Sequence, residues 1–459
     1  MASPLEGVAD KLEAAAASFV KEHRLPGAAV GIVHDDGLAW SAGIGFADVA
    51  ARRAPQVSTL YRIASITKTF TGTAVMQLRD EGRLHLDDPA VEHLPELRAA
   101  SSPFGRVETV TIRRLLSHES GLVGDPPGTD WTVPVYEGLV ERNLDRVTQI
   151  GTRVPANTQQ KYSNLGYQLL GEVVARVSGT SYPEYVRQRI LEPLGMTGTA
   201  FEPLPEELLE RRATGYAARF LSDELEPASI PPTVWAEGGL WSSVEDLARW
   251  ISFQLREDAG PRGGAQVLAG STLKEMHIAR YLGNEEWTEA WGVVWYAIRK
   301  DEVTWVQHSG GIHGFTTCAC FDPKERVGAI ALLNGVGDAE ALAMELGKIA
   351  RDAVVAAASP VEPPASMPEA YRPLLGIYVN PEQGLAVRLE WRDGKLVFVD
   401  PSEPTWHPTL APTDDPDVFI VEPGVRESGE PATFRRTPDG RVASVHLASE
   451  THVRLEPVH

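Results

Sequence analysis

The stretch Ala358-Ser359-Pro360-Val361-Glu362-Pro363-Pro364-Ala365-Ser366-Met367-Pro368 sets the strongest limit on how this chain can fold. Prolines at that density remove backbone donors and fix φ, so neither a helix nor a sheet ladder runs through them. The 459 residues are therefore read as a large domain over 1–357, a linker over 358–370 and a small domain over 371–459. The small domain holds eight short β-like runs, near 374–379, 385–392, 395–400, 405–410, 417–422, 432–436, 442–448 and 451–456. Arg392-Asp393-Gly394 and Pro438-Asp439-Gly440 mark turns between them. Short strands at such regular spacing predict a closed antiparallel barrel. Eight strands enclose a space that side chains fill or that holds one small ligand.

The large domain opens with an amphipathic helix over 8–24 and two strands, Ala28–His34 and Leu38–Ala47, joined by the turn Asp35-Asp36-Gly37. Gly43-Ile44-Gly45 lacks the third glycine and the helix of a dinucleotide site. The stretch Arg62-Ile63-Ala64-Ser65-Ile66-Thr67-Lys68-Thr69-Phe70 passes from extended chain into a helix that ends near Gly82. That puts Ser65 at a helix start and Lys68 one turn on, on the same face. A hydroxyl is a poor nucleophile until a base takes its proton, and a lysine serves as that base only when neutral. Ser-x-x-Lys occurs three times, at Ser18, Ser65 and Ser271. The first lies inside the opening helix, and Ser271 reads as a helix cap.

Further on, Thr111–His118 is a capped helix, with His118 expected to make a structural hydrogen bond. Lys161-Tyr162-Ser163-Asn164 opens a helix over Leu165–Val177, which lets it present side chains into a cleft. Glu237-Gly238-Gly239-Leu240-Trp241-Ser242-Ser243 leads into a helix over Val244–Leu255. Trp291, Trp295 and Trp305 read as an aromatic core under a sheet. The strand Val303–Gln307 is followed by His308-Ser309-Gly310-Gly311-Ile312-His313-Gly314, whose glycines permit a close approach to backbone. Strands Thr316–Phe321 and Val327–Asn334 and a helix over Ala339–Ala357 close the domain.

Taken in order, Ser65-x-x-Lys68, Tyr162-Ser163-Asn164 and His308-Ser309-Gly310 resemble the motifs of the penicillin-recognising serine hydrolases: class C β-lactamases, DD-carboxypeptidases, D-aminopeptidases and β-lactamase-like carboxylesterases. Leu115–Leu122, Tyr162–Gly171 and Glu237–Trp250 share the likeness, which covers roughly residues 8–357. The resemblance implies an α+β fold: an antiparallel sheet flanked by helices, with a helical subdomain and a cleft between them. It implies Ser65 as acylated nucleophile, Lys68 as its base and Tyr162 as proton shuttle. Asn164 would orient Lys68 and bond the substrate, together with Ser309, Gly310 and His313 at the cleft. The N–H groups of Ser65 and Gly311 would form the oxyanion hole. His308 stands where many members carry lysine, and a mostly uncharged histidine is a weaker anchor for a carboxylate. The carboxy-terminal run is similar to the lipocalin-like barrels appended to some of these peptidases.

The expected substrate is a small ester, amide or short peptide, D-amino-acid-containing ones included. The alternatives are a β-lactamase or penicillin-binding DD-peptidase, and a non-catalytic ligand-binding sensor. No cofactor is expected, and no metal, since no His-Glu-x-x-His or cysteine-rich ligand set occurs. A net charge of −20 argues against nucleic acid and anionic membranes as partners, while homo-oligomerisation stays open. Cys318 and Cys320, two apart on one strand, are expected to be free thiols. The amino terminus has no basic and apolar leader, and no run of about 18 apolar residues occurs, so a cytoplasmic location is expected.

Overall fold

The computed structural model describes residues 4–125, 147–218, 225–228, 235–256, 267–286, 288–300, 302–357, 367–382, 385–400 and 406–455. It forms two compact units, Met1–Ala357 and Ala358–His459. The fold is α+β, with an antiparallel sheet and helices in the first unit and a closed barrel in the second.

The first unit is built on an eight-stranded sheet. Its order is Gly37–Gly45, Gly27–His34, Val327–Leu333, Phe315–Asp322, Val303–Ile312, Tyr296–Lys300, Glu289–Trp291 and Tyr281–Leu282. The hairpin turns at Asp35, whose φ of +53° is one that aspartate tolerates. The strands Gly27–His34 and Val327–Leu333 are buried almost from end to end because both of their faces are covered. Successive side chains point to opposite faces. Val30 and Ile32 accordingly pack with Leu12 and Phe19 of the helix Ala9–Glu22 and with Leu342 and Leu346 of the helix Ala339–Ala357. Ala29 and Val33 pack instead with Leu247, Trp250 and Ile251 of the helix Val244–Gln254. Each fully buried leucine or isoleucine contributes about 1.5–3 kcal/mol, so truncating Leu12 would loosen the outer helix from the sheet.

A helical region lies beside the sheet: Ala90–His93, Ile112–Leu116, Asn164–Ser178 and Tyr182–Val186. It shares one core with the helix Thr67–Asp80, which stacks Phe70 on Trp250 at 3.9 Å between ring centroids. Thr111 caps its helix by accepting from the Arg114 N–H. Ser271 is no cap. The helix Gly270–His277 begins after Ala269, and Ser271 is already inside it. Cys318 and Cys320 are free and buried.

The second unit is a closed antiparallel barrel of eight strands. They are Gly376–Asn380, Leu385–Arg392, Lys395–Val399, Thr409–Pro412, Val418–Val421, Pro431–Arg436, Val442–Leu447 and Glu450–Arg454. Tyr378, Leu389, Phe398, Phe419 and Phe434 fill its interior. A short 3-10 helix, Glu369–Leu374, begins inside the span read as linker and delays the first strand to Gly376. The fourth strand starts at Thr409, later than the run near 405–410, and residues 358–366 of the linker lie outside the described residues. Among the described residues no helix is long and apolar enough to cross a membrane.

Candidate active site

Tyr61–Arg62 is a two-residue strand, held by pairing Tyr61 with Ser242 and Arg62 with Trp241. Behind it Ala64 takes a φ of +46°, a conformation that side chains with a Cβ seldom adopt. A 3-10 turn, Ala64–Ile66, then runs straight into the helix Thr67–Asp80. Thr317 Oγ1 donates to the Ile63 carbonyl at 3.0 Å and ties this turn to the sheet. Ser65 therefore sits in a bend anchored on both sides, one turn ahead of Lys68.

Lys68 is fully buried. Its Nζ lies 3.0 Å from Ser65 Oγ, 2.8 Å from Asn164 Oδ1 and 2.7 Å from the Glu237 carbonyl oxygen. Asn164 is the first residue of the helix Asn164–Ser178, where Ser163 caps by accepting from the Gly166 N–H. The Asn164 Nδ2 donates to Asp125 Oδ1 at 2.8 Å, so both ends of the amide are engaged. Its position between a donor and an acceptor sets which end faces Lys68.

Tyr162 is 36% exposed, and its hydroxyl makes no hydrogen bond among the described residues. Its ring lies 5.0 Å from Lys68 Nζ and stacks on His118. His118 is buried, and its Nδ1 accepts from the Ser163 N–H at 3.1 Å, the structural hydrogen bond expected of it. Burial and the nearby Lys68 hold its imidazole well below the usual histidine range.

The strand Val303–Ile312 forms the opposite wall. A Cβ at Gly310 would stand 2.4 Å from the Ile63 carbonyl oxygen and 2.9 Å from the Ser65 nitrogen, so only glycine allows this approach. At Gly311 the same atom would meet nothing within 4 Å, which leaves its backbone facing open space. His308 is buried, and its Nδ1 lies 2.7 Å from the Ser309 carbonyl oxygen. Nε2 has no hydrogen-bond partner. Burial, and secondly Lys68, push this imidazole down to about 3, so it carries no charge near neutrality. The Ser309 hydroxyl lies 2.7 Å from that of Tyr296, which donates to Glu340 at 3.0 Å.

Two cavities meet at Ser65. One, of about 240 Å³, is walled by Tyr162, Trp291, Tyr296, His308 and Gly310. The other, of about 560 Å³, is walled by Asn164, Glu237, Gly311, Ile312, His313 and Phe315. Of the nine residues singled out from the sequence, eight line these cavities, and the ninth, Lys68, lies buried behind Ser65. Trp291 departs from its expected place: Trp295 and Trp305 are core residues, whereas Trp291 stands edge-on to Tyr162 in the cavity wall. Asp125 and Glu237 were missed. A Glu-Gly-Gly step beside a motif was the available signal for Glu237, but its burial depends on helices far away in sequence. Among the described residues no group of three or more His, Cys, Asp or Glu side chains could hold a metal ion.

Comparison with known proteins puts this geometry in context. The family model described as Beta-lactamase matches residues 12–353. "Protein flp" of Staphylococcus aureus (strain N315) is 29% identical over 69% of this chain, which spans 61% of that protein's length. "Penicillin-binding protein 4" of Amycolatopsis lactamdurans is 30% identical, over 68% of this chain and 82% of that one. Among solved structures, the octameric penicillin-binding protein homologue from Pyrococcus abyssi covers 97% of this chain and 99% of its own, with a TM-score of 0.62 at 24% identity. That likeness is one of fold.

Proposed function

The chain belongs to the beta-lactamase family, and from that membership we propose a serine hydrolase that opens small esters or amides, D-amino-acid-containing ones among them, through an acyl-enzyme on Ser65. The observation that carries this is the buried Lys68 Nζ, 3.0 Å from Ser65 Oγ and steered by two acceptors that have no proton to give. A buried lysine that only spanned helices would not need a hydroxyl at the mouth of a cavity as its third contact.

In the proposed reaction Ser65 Oγ bonds to the substrate carbonyl carbon as its proton passes to Lys68. The carbonyl electron pair moves onto oxygen, beneath the N–H groups of Ser65 and Gly311. Collapse expels the alcohol or amine, which takes its proton through Tyr162. Water then attacks the acyl carbon with the proton flow reversed. The uncharged His308 supplies no fixed cation for a substrate carboxylate, which favours neutral esters and amides over penicillins. The name of the Amycolatopsis relative favours one competing reading, a penicillin-binding or β-lactamase activity.

Intact-protein mass spectrometry tests both readings. The wild type and Ser65→Ala are incubated with p-nitrophenyl esters, D- and L-aminoacyl amides and a penicillin. The expected result is an added acyl mass from an ester or aminoacyl amide in the wild type, and none in Ser65→Ala. A Ser65→Ala protein labelled as fast as the wild type would overturn the proposal. Labelling by penicillin alone would favour the competing reading.

A further inference from the structure

Glu237 is buried directly behind the Ser65–Lys68 pair. It lies on the short helix Trp235–Gly238 and its residue is 2% exposed. Its backbone carbonyl takes one of the three Lys68 contacts, at 2.7 Å. Of its carboxyl oxygens, Oε1 accepts from Gln168 Nε2, while Oε2 is buried with no hydrogen-bond partner. The charged and titratable groups that face it are Lys68 from the helix Thr67–Asp80, Asp125 from the chain that follows the helix Ile112–Leu116, and Tyr182 from the helix Tyr182–Val186; His118 and His308 stand near Lys68 on its other side. Lys68 is the sole cation in that set, and Asp125 works against a second negative charge.

The Glu237 side chain acts on Lys68 through space, since it is the backbone carbonyl that touches Nζ. Asn164 Oδ1 and that carbonyl can only accept, so they take two N–H bonds of Lys68 and leave its remaining position to Ser65. A carboxylate behind this group favours a charged Lys68, and a neutral acid in the same place does not. A buried carboxylate oxygen without a donor is costly, whereas a neutral acid in the same place costs much less. Burial pushes this carboxyl up to about 7, against the pull of Lys68 and of the Gln168 hydrogen bond.

We infer that Glu237 is a positioning residue: whether its buried carboxyl carries a charge decides how readily Lys68 accepts the proton of Ser65. The inference rests on the reading of Ser65 as the acylated nucleophile. Glu237 adds to that reading a control of the base from behind.

The test is the pH profile of the acylation rate with a p-nitrophenyl ester, in the wild type, Glu237→Gln and Gln168→Met. Glutamine cannot become an anion, so Lys68 no longer faces a negative charge that opposes proton release from it. The acid limb of Glu237→Gln should move down by about one pH unit, which is roughly tenfold faster acylation on that limb. Gln168→Met removes the donor that stabilises the carboxylate and should move the limb the same way by less. If Glu237→Gln fails to fold, the Gln168→Met profile decides alone. Acid limbs that coincide in all folded proteins, or that move upward, would overturn the inference. Mass spectrometry of the same samples separates it from its premise: no acyl mass on wild-type Ser65 sinks both, while acylation with coincident limbs sinks this one only.

Discussion

The imidazole of His118 lies flat against the ring of Tyr162, with centroids 4.1 Å apart and planes 28° apart. His118 holds a φ of +61° to do so, while its carbonyl accepts from the Lys161 N–H at 2.7 Å and its Nδ1 from the Ser163 N–H. The loop that carries Tyr162 is thus clamped on both sides of the tyrosine by one residue. Asparagine tolerates the same backbone and offers an acceptor at the same branch, but it brings no ring. For His118→Asn we predict a kcat about tenfold lower, some 1.4 kcal/mol of barrier, with a smaller change in KM. Steady-state kinetics on the accepted ester measure this, and an unchanged kcat would refute a positioning role for the stack.

His308 predicts a pH dependence of stability. Its pKa is lower in the folded protein than in the unfolded chain, so the unfolded chain binds more protons as pH falls below about 6.5. Its contribution to stability is therefore present at neutral pH and lost on acidification, at about 1.4 kcal/mol per pH unit. His118, also lowered, behaves likewise, and Glu237, raised, opposes them between its unfolded and folded values. A difference measurement isolates His308. Between pH 7 and pH 5 the stability of the wild type relative to His308→Gln should fall by about 2 kcal/mol. Urea denaturation at the two pH values reads it, and a constant difference would mean that His308 is not held neutral.

The same side chain sets the charge of the strand that faces Ser65. His308→Lys places a cation where Nε2 is now without a partner, at the cost of a like charge near Lys68. We predict that penicillin acylates this variant about tenfold faster than it does the wild type, and that the variant melts at a lower temperature. Stopped-flow labelling with a fluorescent penicillin measures the rate. A penicillin rate no higher than that of the wild type would show that a cation here does not recruit carboxylates.

Gly310 and Gly311 are neighbours with opposite tolerances. A methyl group at Gly310 meets the Ile63 carbonyl and the Ser65 nitrogen, while one at Gly311 meets open space. Gly310→Ala must push the strand from the Ala64–Ile66 turn and should lose about 1–3 kcal/mol of stability. Gly311→Ala should stay within about 0.5 kcal/mol of the wild type. Thermal melts of the two variants decide this, and equal melting temperatures would contradict the close approach.

Much of this protein was written locally in its chain. The short apolar runs of residues 28–34 and 327–334, the amphipathic stripe of Leu12 and Phe19, the capped helix at Thr111 and the turn at Asp35 each act over a few residues. Short-range sterics and hydrogen bonding are enough to determine them. The proline-rich stretch likewise announced where one texture ends and a barrel begins. Ser65 and Lys68, one helical turn apart, belong to the same class of signal.

What only tertiary structure decided is which distant groups surround that pair. Lys68 meets Asn164 across 96 residues and the Glu237 carbonyl across 169. The burial of the Glu237 carboxyl, the neutrality of His308 and the placing of Trp291 beside Tyr162 all depend on how helices and sheet pack. No local pattern carries them, because desolvation and electrostatic reach belong to the assembled interior and not to any one segment of chain.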